Sequence, residues 1–198
     1  PRTPISSRLV ADMLQLAGVD RVVTVDIHST QSEGFFTVPM INLYAAKVLA
    51  SRVYKEELQN IVVVSPDAGG TERARYFARR FSADMALIDK RRDRQGTAEA
   101  LHVVGNVGQK DCVIFDDMID TAGTLIEASK ILKRNGASSV LAVATHGIFS
   151  NEAFKRINNC RELDKVIVTD TIDQPDRPKK IKTISIADML SKAIKRIH

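Results

Sequence analysis

Apolar residues recur at helical spacing over residues 4–18, where Leu9, Val10, Met13, Leu14 and Ala17 share a face, Pro4 sits near the first turn and Gly18 closes the run. That pattern predicts a helix. Residues 21–27 (RVVTVDI) predict a strand that delivers Asp26 and His28 at its carboxyl end. Phe35, Phe36 and Pro39 then lead to a second predicted helix from about 42 to 57. Further on, short apolar runs at 61–65, 85–88, 98–104, 113–115, 139–145 and 165–170 predict strands. Helical patterns fall between or after them at 72–81, 124–135, 151–157 and 187–197. Residues 89–96 (DKRRDRQG) carry too much charge for core and read as a mobile loop or flap, and 174–182 reads as a Pro-broken basic linker. Strands alternating with helices predict an α/β protein with a doubly wound parallel sheet.

In such a sheet, ligands bind outside the carboxyl ends of the strands. Two predicted strand exits carry chemistry suited to that edge. The run VIF at 113–115 leads into Asp116, Asp117 and, four residues after the first, Asp120, followed by Thr121, Ala122, Gly123 and Thr124 at a helix start. Small residues there leave backbone N–H groups open to a phosphate. Ionised Asp116 and Asp117 only accept hydrogen bonds, which suits sugar hydroxyls or a hydrated divalent cation. A lone acidic turn would read as a solvated Asp cluster with Asp120 capping a helix, but strand, carboxylates, small-residue loop and helix start in this order favour the phosphate cradle.

The second exit, 65–71 (SPDAGGT), resembles a pyrophosphate-binding loop: Gly69 and Gly70 allow close approach of backbone to phosphate oxygens, and Asp67 is a natural Mg²⁺ anchor. A plain turn and cap is the competing reading. Lys90, Arg91 and Arg92 directly follow a strand, placing cations where a closing loop stabilises charge on transferring oxygens. Their alternative is a solvated charge run. His28 is of interest only if Asp26, His28, Asp67 and Asp116 converge at one edge.

Composition narrows the class. The 198 residues, 44% hydrophobic, are enough for a sizeable core. A net charge of +5, from 29 Lys and Arg against 24 Asp and Glu, is spread along the chain and suits an enzyme handling phosphates better than a duplex-binding module. Aromatics are 5% with no Trp, which leaves little for stacking on single-stranded nucleic acid, so no nucleic-acid partner is expected. The two cysteines, Cys112 and Cys160, form no CxxC pair and read as reduced thiols. No run reaches membrane-spanning length and no signal-peptide pattern opens the chain, so a cytoplasmic protein without a membrane partner is expected. Opening on Pro1 rather than Met reads as a fragment.

The stretch VIFDDMIDTAGT resembles the phosphoribosyl-diphosphate-binding signature of type I phosphoribosyltransferase folds. Together with VVTVDIHSTQSEGFF, VVVSPDAGGTERAR and LIDKRR, in this order and spacing, it makes the whole chain resemble the ribose-phosphate diphosphokinase family. The resemblance implies Mg²⁺-dependent transfer of the diphosphoryl group of ATP to the 1-hydroxyl of ribose 5-phosphate, giving 5-phosphoribosyl 1-diphosphate and AMP for nucleotide biosynthesis. By position it implies that Asp120, Thr121, Ala122, Gly123 and Thr124 hold the 5-phosphate and that Asp116, with Asp117 beside it, binds the ribose hydroxyls. Asp67, Ala68, Gly69 and Gly70 would meet the diphosphate of ATP, His28 and Asp67 would bind Mg²⁺, and Lys90 and Arg92 would act in catalysis, Arg92 also touching ribose 5-phosphate. A homo-oligomer, a hexamer built from dimers, is implied as well.

The sequence departs from the family's usual pattern at Gln31-Ser32-Glu33-Gly34 and at Ile41. The family's chain is about half as long again, with two similar α/β domains. On that basis residues 1–42 correspond to the trailing helix and strand of a first domain, and 43–198 to the ribose 5-phosphate-binding domain. Alternatives are a catalytically silent regulatory homologue that binds the synthetase, or a salvage phosphoribosyltransferase. Lys90, Arg92, Asp116 and Asp120 together argue for chemistry.

Overall fold

The structure, a computed structural model, describes residues 6–92 and 99–197. The chain divides into two compact units, Pro1–Ala45 and Ala46–His198.

In the first unit, helix α1 (Ser6–Leu16) ends before Gly18, whose φ of +88° is the left-handed conformation that terminates helices. Strand β1 (Val22–Val25) pairs in parallel with β2 (Met40–Leu43), Val22 opposite Met40. A short 3-10 helix, Thr30–Phe35, lies between them. The helix expected from about 42 is therefore corrected: residues 40–43 are strand. The Asn42 side chain accepts from Thr24 Oγ1 and Ile27 N, both at 3.2 Å, and so belongs to the β1 pairing. Asp26, at φ +43°, accepts from Ala45 N at 2.9 Å.

The second unit opens with α2 (Ala46–Val53). It holds a seven-stranded sheet made of β3 (Ile61–Ser65), β4 (Asp84–Arg92), β5 (Glu99–Val104), β6 (Asp111–Ile119), β7 (Ser139–Gly147), β8 (Lys165–Thr169) and β9 (Ile181–Ile184). The order is β5-β4-β3-β6-β7-β8-β9, parallel throughout except for antiparallel β5 at one edge. Helices α3 (Thr71–Ala78), α4 (Gly123–Arg134), α5 (Ala153–Asn159) and α6 (Ala187–Ile197) complete the unit. The doubly wound parallel sheet is as expected.

Strand alternation separates two packed faces. On one, Val64, Ile114 and Ala142 stand in register and meet Leu125, Ala128 and Leu132 of α4 and Ile157 of α5, all buried. On the other, Phe77 of α3 is fully buried and stacks on Phe115 at a centroid distance of 3.9 Å. Helices α3 and α4 thus cover opposite faces. Their strands run outward in opposite directions from the β3/β6 pair, which is the topological switch point of the sheet.

Three expectations change here. Strand β4 does not stop at Ile88 but continues through Asp89, Lys90, Arg91 and Arg92, because each pairs with a residue of β5. Of the expected loop, residues 89–92 are therefore strand, and residues 93–96 lie outside the described residues. Strand β6 runs past Phe115 to Ile119, held by β7 through Ile119 opposite Gly147. Residues 181–184, expected within or beside a linker, form β9 against β8. Both cysteines are free and buried, and burial pushes the Cys112 thiol up to about 12, which leaves it unreactive as a nucleophile. Among the described residues, no helix is long and apolar enough to cross a membrane.

Candidate active site

At the carboxyl edge of the switch point lies a cavity of about 180 Å³. The loop after β3 contributes Pro66 and Asp67, β6 contributes Asp116, and the turn into α4 contributes Asp120, Thr121, Ala122, Gly123 and Thr124. These are the two strand exits singled out by the sequence, brought together because β3 and β6 are neighbours.

The loop after β3 is held by its own polar groups. Asp67 Oδ1 accepts from Gly70 N at 2.8 Å, and Ser65 Oγ donates to the Asp67 carbonyl at 2.7 Å. A Cβ on Gly70 would sit 3.0 Å from that Ser65 oxygen, so the close turn depends on glycine there. Asp67, Ala68 and Gly69 are exposed, while Gly70 is buried.

The turn into α4 has a different construction. Its N-cap is Ala122, in the left-handed region at φ +60°, and no side chain caps the helix. Asp120 is not that cap; its carboxylate accepts from Ser150 Oγ instead. Arg156 Nη1 donates to the Thr121 carbonyl at 2.8 Å, and Ile148 N and Phe149 N donate to the Ile119 carbonyl at 3.0 and 3.1 Å. The turn is thus braced from outside by the β7–α5 connection and α5. The first-turn amides of α4 stay uncommitted to any cap, facing the cavity that Gly123 and Thr124 line. An N-terminus of this kind attracts anions through its open N–H groups and the helix dipole.

Asp116 and Asp117 are consecutive on β6 and point to opposite faces of the sheet. Asp116 lines the cavity with its side chain about a third exposed, whereas Asp117 is 2% exposed and lies away from it. Asp116 Oδ1 accepts from the Asp117 N–H at 2.9 Å and from Arg73 Nη1 at 3.2 Å. Burial pushes the Asp116 carboxyl up to about 7; the hydrogen bond with the Asp117 side chain adds to the rise, and Arg73 opposes it.

The remaining expected residues are placed as follows. Lys90 and Arg92 lie on β4, opposite Leu101 and Glu99 of β5. His28 follows β1 in the first unit and is exposed, while Asp26 beside that strand is buried and bonded to Ala45 N. Their expected meeting with Asp67 and Asp116 would join the two units, each of which stands here by itself. Arg73, Ser150 and Arg156 were missed by sequence reasoning. Arg73 lies in the ERAR run directly behind the glycine loop, whose pattern singles out neither of its arginines.

Among the described residues, no three His, Cys, Asp or Glu side chains cluster into a metal cage. Asp67 on the cavity wall is still a fitting partner for Mg²⁺, which keeps several waters and takes one or two carboxylates alongside phosphate oxygens.

Comparison with known proteins identifies the family. Residues 96–198 match the family model described as phosphoribosyl synthetase-associated domain. The chain is 46% identical over 199 residues to the ribose-phosphate pyrophosphokinase of Neisseria meningitidis serogroup B, covering 99% of this chain and 61% of that protein. It is 47% identical over 200 residues to the ribose-phosphate pyrophosphokinase of Chromobacterium violaceum, covering 100% and 61%. The crystal structure of phosphoribosylpyrophosphate synthetase from Mycobacterium smegmatis superposes with a TM-score of 0.90 at 38% identity, over 100% of this chain and 65% of that one. The chain therefore spans less than two thirds of the length of these relatives. With just over half of its residues matched by the family model, and its whole length by these relatives, it belongs to the phosphoribosyl synthetase-associated domain family.

Proposed function

We propose that this chain carries the ribose 5-phosphate half of a ribose-phosphate diphosphokinase, transferring the diphosphoryl group of ATP to the 1-hydroxyl of ribose 5-phosphate. The observation that carries the reading is the uncapped N-terminus of α4 facing the same cavity as the Asp116 carboxylate. A 5-phosphate seated on residues 120–124 would present the sugar's hydroxyls to that carboxylate, which accepts their hydrogen bonds.

The chemistry needs no nucleophilic side chain. The 1-hydroxyl oxygen attacks the β-phosphorus in line, a new O–P bond forms, the bond from that phosphorus to the bridging oxygen of the α-phosphate breaks, and AMP leaves as the hydroxyl proton is released. The protein contributes position and charge. Residues 67–70 would approach the transferring diphosphate, and Lys90 and Arg92 would stabilise charge gathering on its oxygens. Asp67 would hold Mg²⁺ through one carboxylate oxygen or a water, and the ion would neutralise phosphate charge. His28 enters as a second metal contact, and a hexamer built from dimers enters with it, both by resemblance to the family; a cytoplasmic setting is proposed from the sequence pattern.

The test is AMP formation from ATP and Mg²⁺ with and without ribose 5-phosphate. Sugar-dependent release of AMP and 5-phosphoribosyl 1-diphosphate is expected; AMP release that does not depend on the sugar overturns the transfer, and a chain that forms no AMP and is not thermally stabilised by ribose 5-phosphate overturns the reading. Lys90→Ala should lower turnover at least about a hundredfold, the scale of losing one preorganised charge, with the calorimetric Kd for ribose 5-phosphate unchanged. Equal loss of both would remove Lys90 from catalysis.

A further inference from the structure

We infer that Arg73 is the positioning residue of the carboxylate pair: its guanidinium spans Asp116 and Asp117 from α3 and thereby directs Asp116 toward neutral sugar hydroxyls rather than toward a metal ion. This rests on the ribose reading of the cavity given above.

The geometry is specific. Arg73 Nη1 lies 3.2 Å from Asp116 Oδ1 and 3.1 Å from Asp117 Oδ1, although the two side chains leave opposite faces of β6. One guanidinium therefore reaches over the strand's edge from the face that α3 covers. Asp117, 2% exposed, anchors it there, since a buried carboxylate requires a cationic or hydrogen-bonding partner. Helix α3 is itself fixed through Phe77 stacked on Phe115, one residue before Asp116. Arg73 and the Asp117 N–H both converge on Asp116 Oδ1. Oδ2 takes neither of these bonds and is the atom the ribose reading assigns to a ligand hydroxyl.

Charge explains the preference for hydroxyls. Two carboxylates and one guanidinium sum to a single negative charge, spread over a pair already engaged by a cation. A hydrated divalent ion gains less there than at Asp67, where the loop carries no arginine of its own. Among the described residues, the other charged groups lining the cavity with Asp116 are Asp67 after β3 and Asp120 after β6. Its register neighbour on β7 is Ala144, and the first turn of α4 at Gly123, Thr124 and Leu125 carries no charge. Among the described residues, Arg73 is the cation whose ion pairs reach both Asp116 and Asp117.

The test uses the chain as it stands, without ligand and then with it. The Asp116 carboxyl titration would be followed by ¹³C NMR in the unmodified chain and in Arg73→Met, with calorimetric Kd values for ribose 5-phosphate and, separately, for inorganic phosphate. Arg73→Met should raise the Asp116 midpoint and weaken ribose 5-phosphate about tenfold at pH 7, the scale of losing a charge-assisted contact, while inorganic phosphate binds as before. Arg73→Lys should restore much of the midpoint but little of the sugar affinity, because a strongly hydrated, freely rotating ammonium keeps the charge without the rigid guanidinium plane that fixes Nη1 between both carboxylates. Should Arg73→Met fail to fold, Arg73→Gln, which still satisfies Asp117 by hydrogen bonding, carries the same comparison.

A folded variant with an unmoved midpoint and unchanged sugar affinity overturns the inference. Loss of ribose 5-phosphate and inorganic phosphate affinity together overturns it too, since Arg73 would then act on the whole site. A moved midpoint in a chain that never binds ribose 5-phosphate leaves Arg73's hold on the pair standing and overturns the ribose reading instead.

Discussion

Asp116 is the residue where fold and chemistry pull against each other. Its carboxyl is held at about 7 against an ordinary 3.8, so the folded chain binds this proton more tightly than the unfolded one. That difference favours folding below about pH 4 and is lost as pH rises through about 7. Asp116→Asn, neutral at every pH, should therefore be more stable than the parent at pH 8 by about 1–2 kcal/mol, a figure reduced for the solvent reaching the side chain. The gain should vanish near pH 4, as thermal unfolding at the two pH values would show. The same variant should bind ribose 5-phosphate more weakly, which makes this a position where stability is given up for recognition. Asp116, Asp67 and the 120–124 turn were legible in the sequence because their chemistry is local: a strand exit, an acid, small residues and a helix start. Arg73 was not, because nothing in a helical arginine's neighbours along the chain reveals that it folds over the edge of a strand 43 residues away.

Among the elements, α3 sets the site's geometry, since it follows the Asp67 loop and carries Arg73. Phe77→Ala removes a fully buried ring stacked on Phe115 and should cost about 3–5 kcal/mol, read by urea denaturation. Phe77→Leu, nearer in volume, should retain the fold while loosening Arg73's reach, so its ribose 5-phosphate affinity should fall more than its stability. Elements with a strong local pattern were read correctly, as with β3 at Ile61–Ser65 and α6 at Ala187–Ile197. Those defined by a distant partner were not. Met40–Leu43 became strand by pairing with β1, Ile181–Ile184 by pairing with β8, and Asp89–Arg92 by pairing with β5 despite their charge. In each case the ladder outweighed the local composition.

At the scale of the whole molecule, all residues lining the cavity belong to Ala46–His198. That unit has a core of its own on both faces of a seven-stranded sheet. Residues 46–198 expressed alone should therefore fold and bind ribose 5-phosphate with the affinity of the full chain, within about twofold by calorimetry. A large loss would mean that residues before Ala46 reach the sugar site.

The position of β6 at the middle of this sheet also bears on how the protein comes into being. Its first residue, Asp111, lies opposite Ile61 on one side and Ser139 on the other, so its two ladders join segments far apart along the chain. Closing such loops is slow, and the cavity between the β3 and β6 exits has no existence until both flanking strands have docked. Ligand cannot hasten an event that must precede its own binding. It can only retain what has formed, slowing departure from the native state while leaving the speed of arrival untouched.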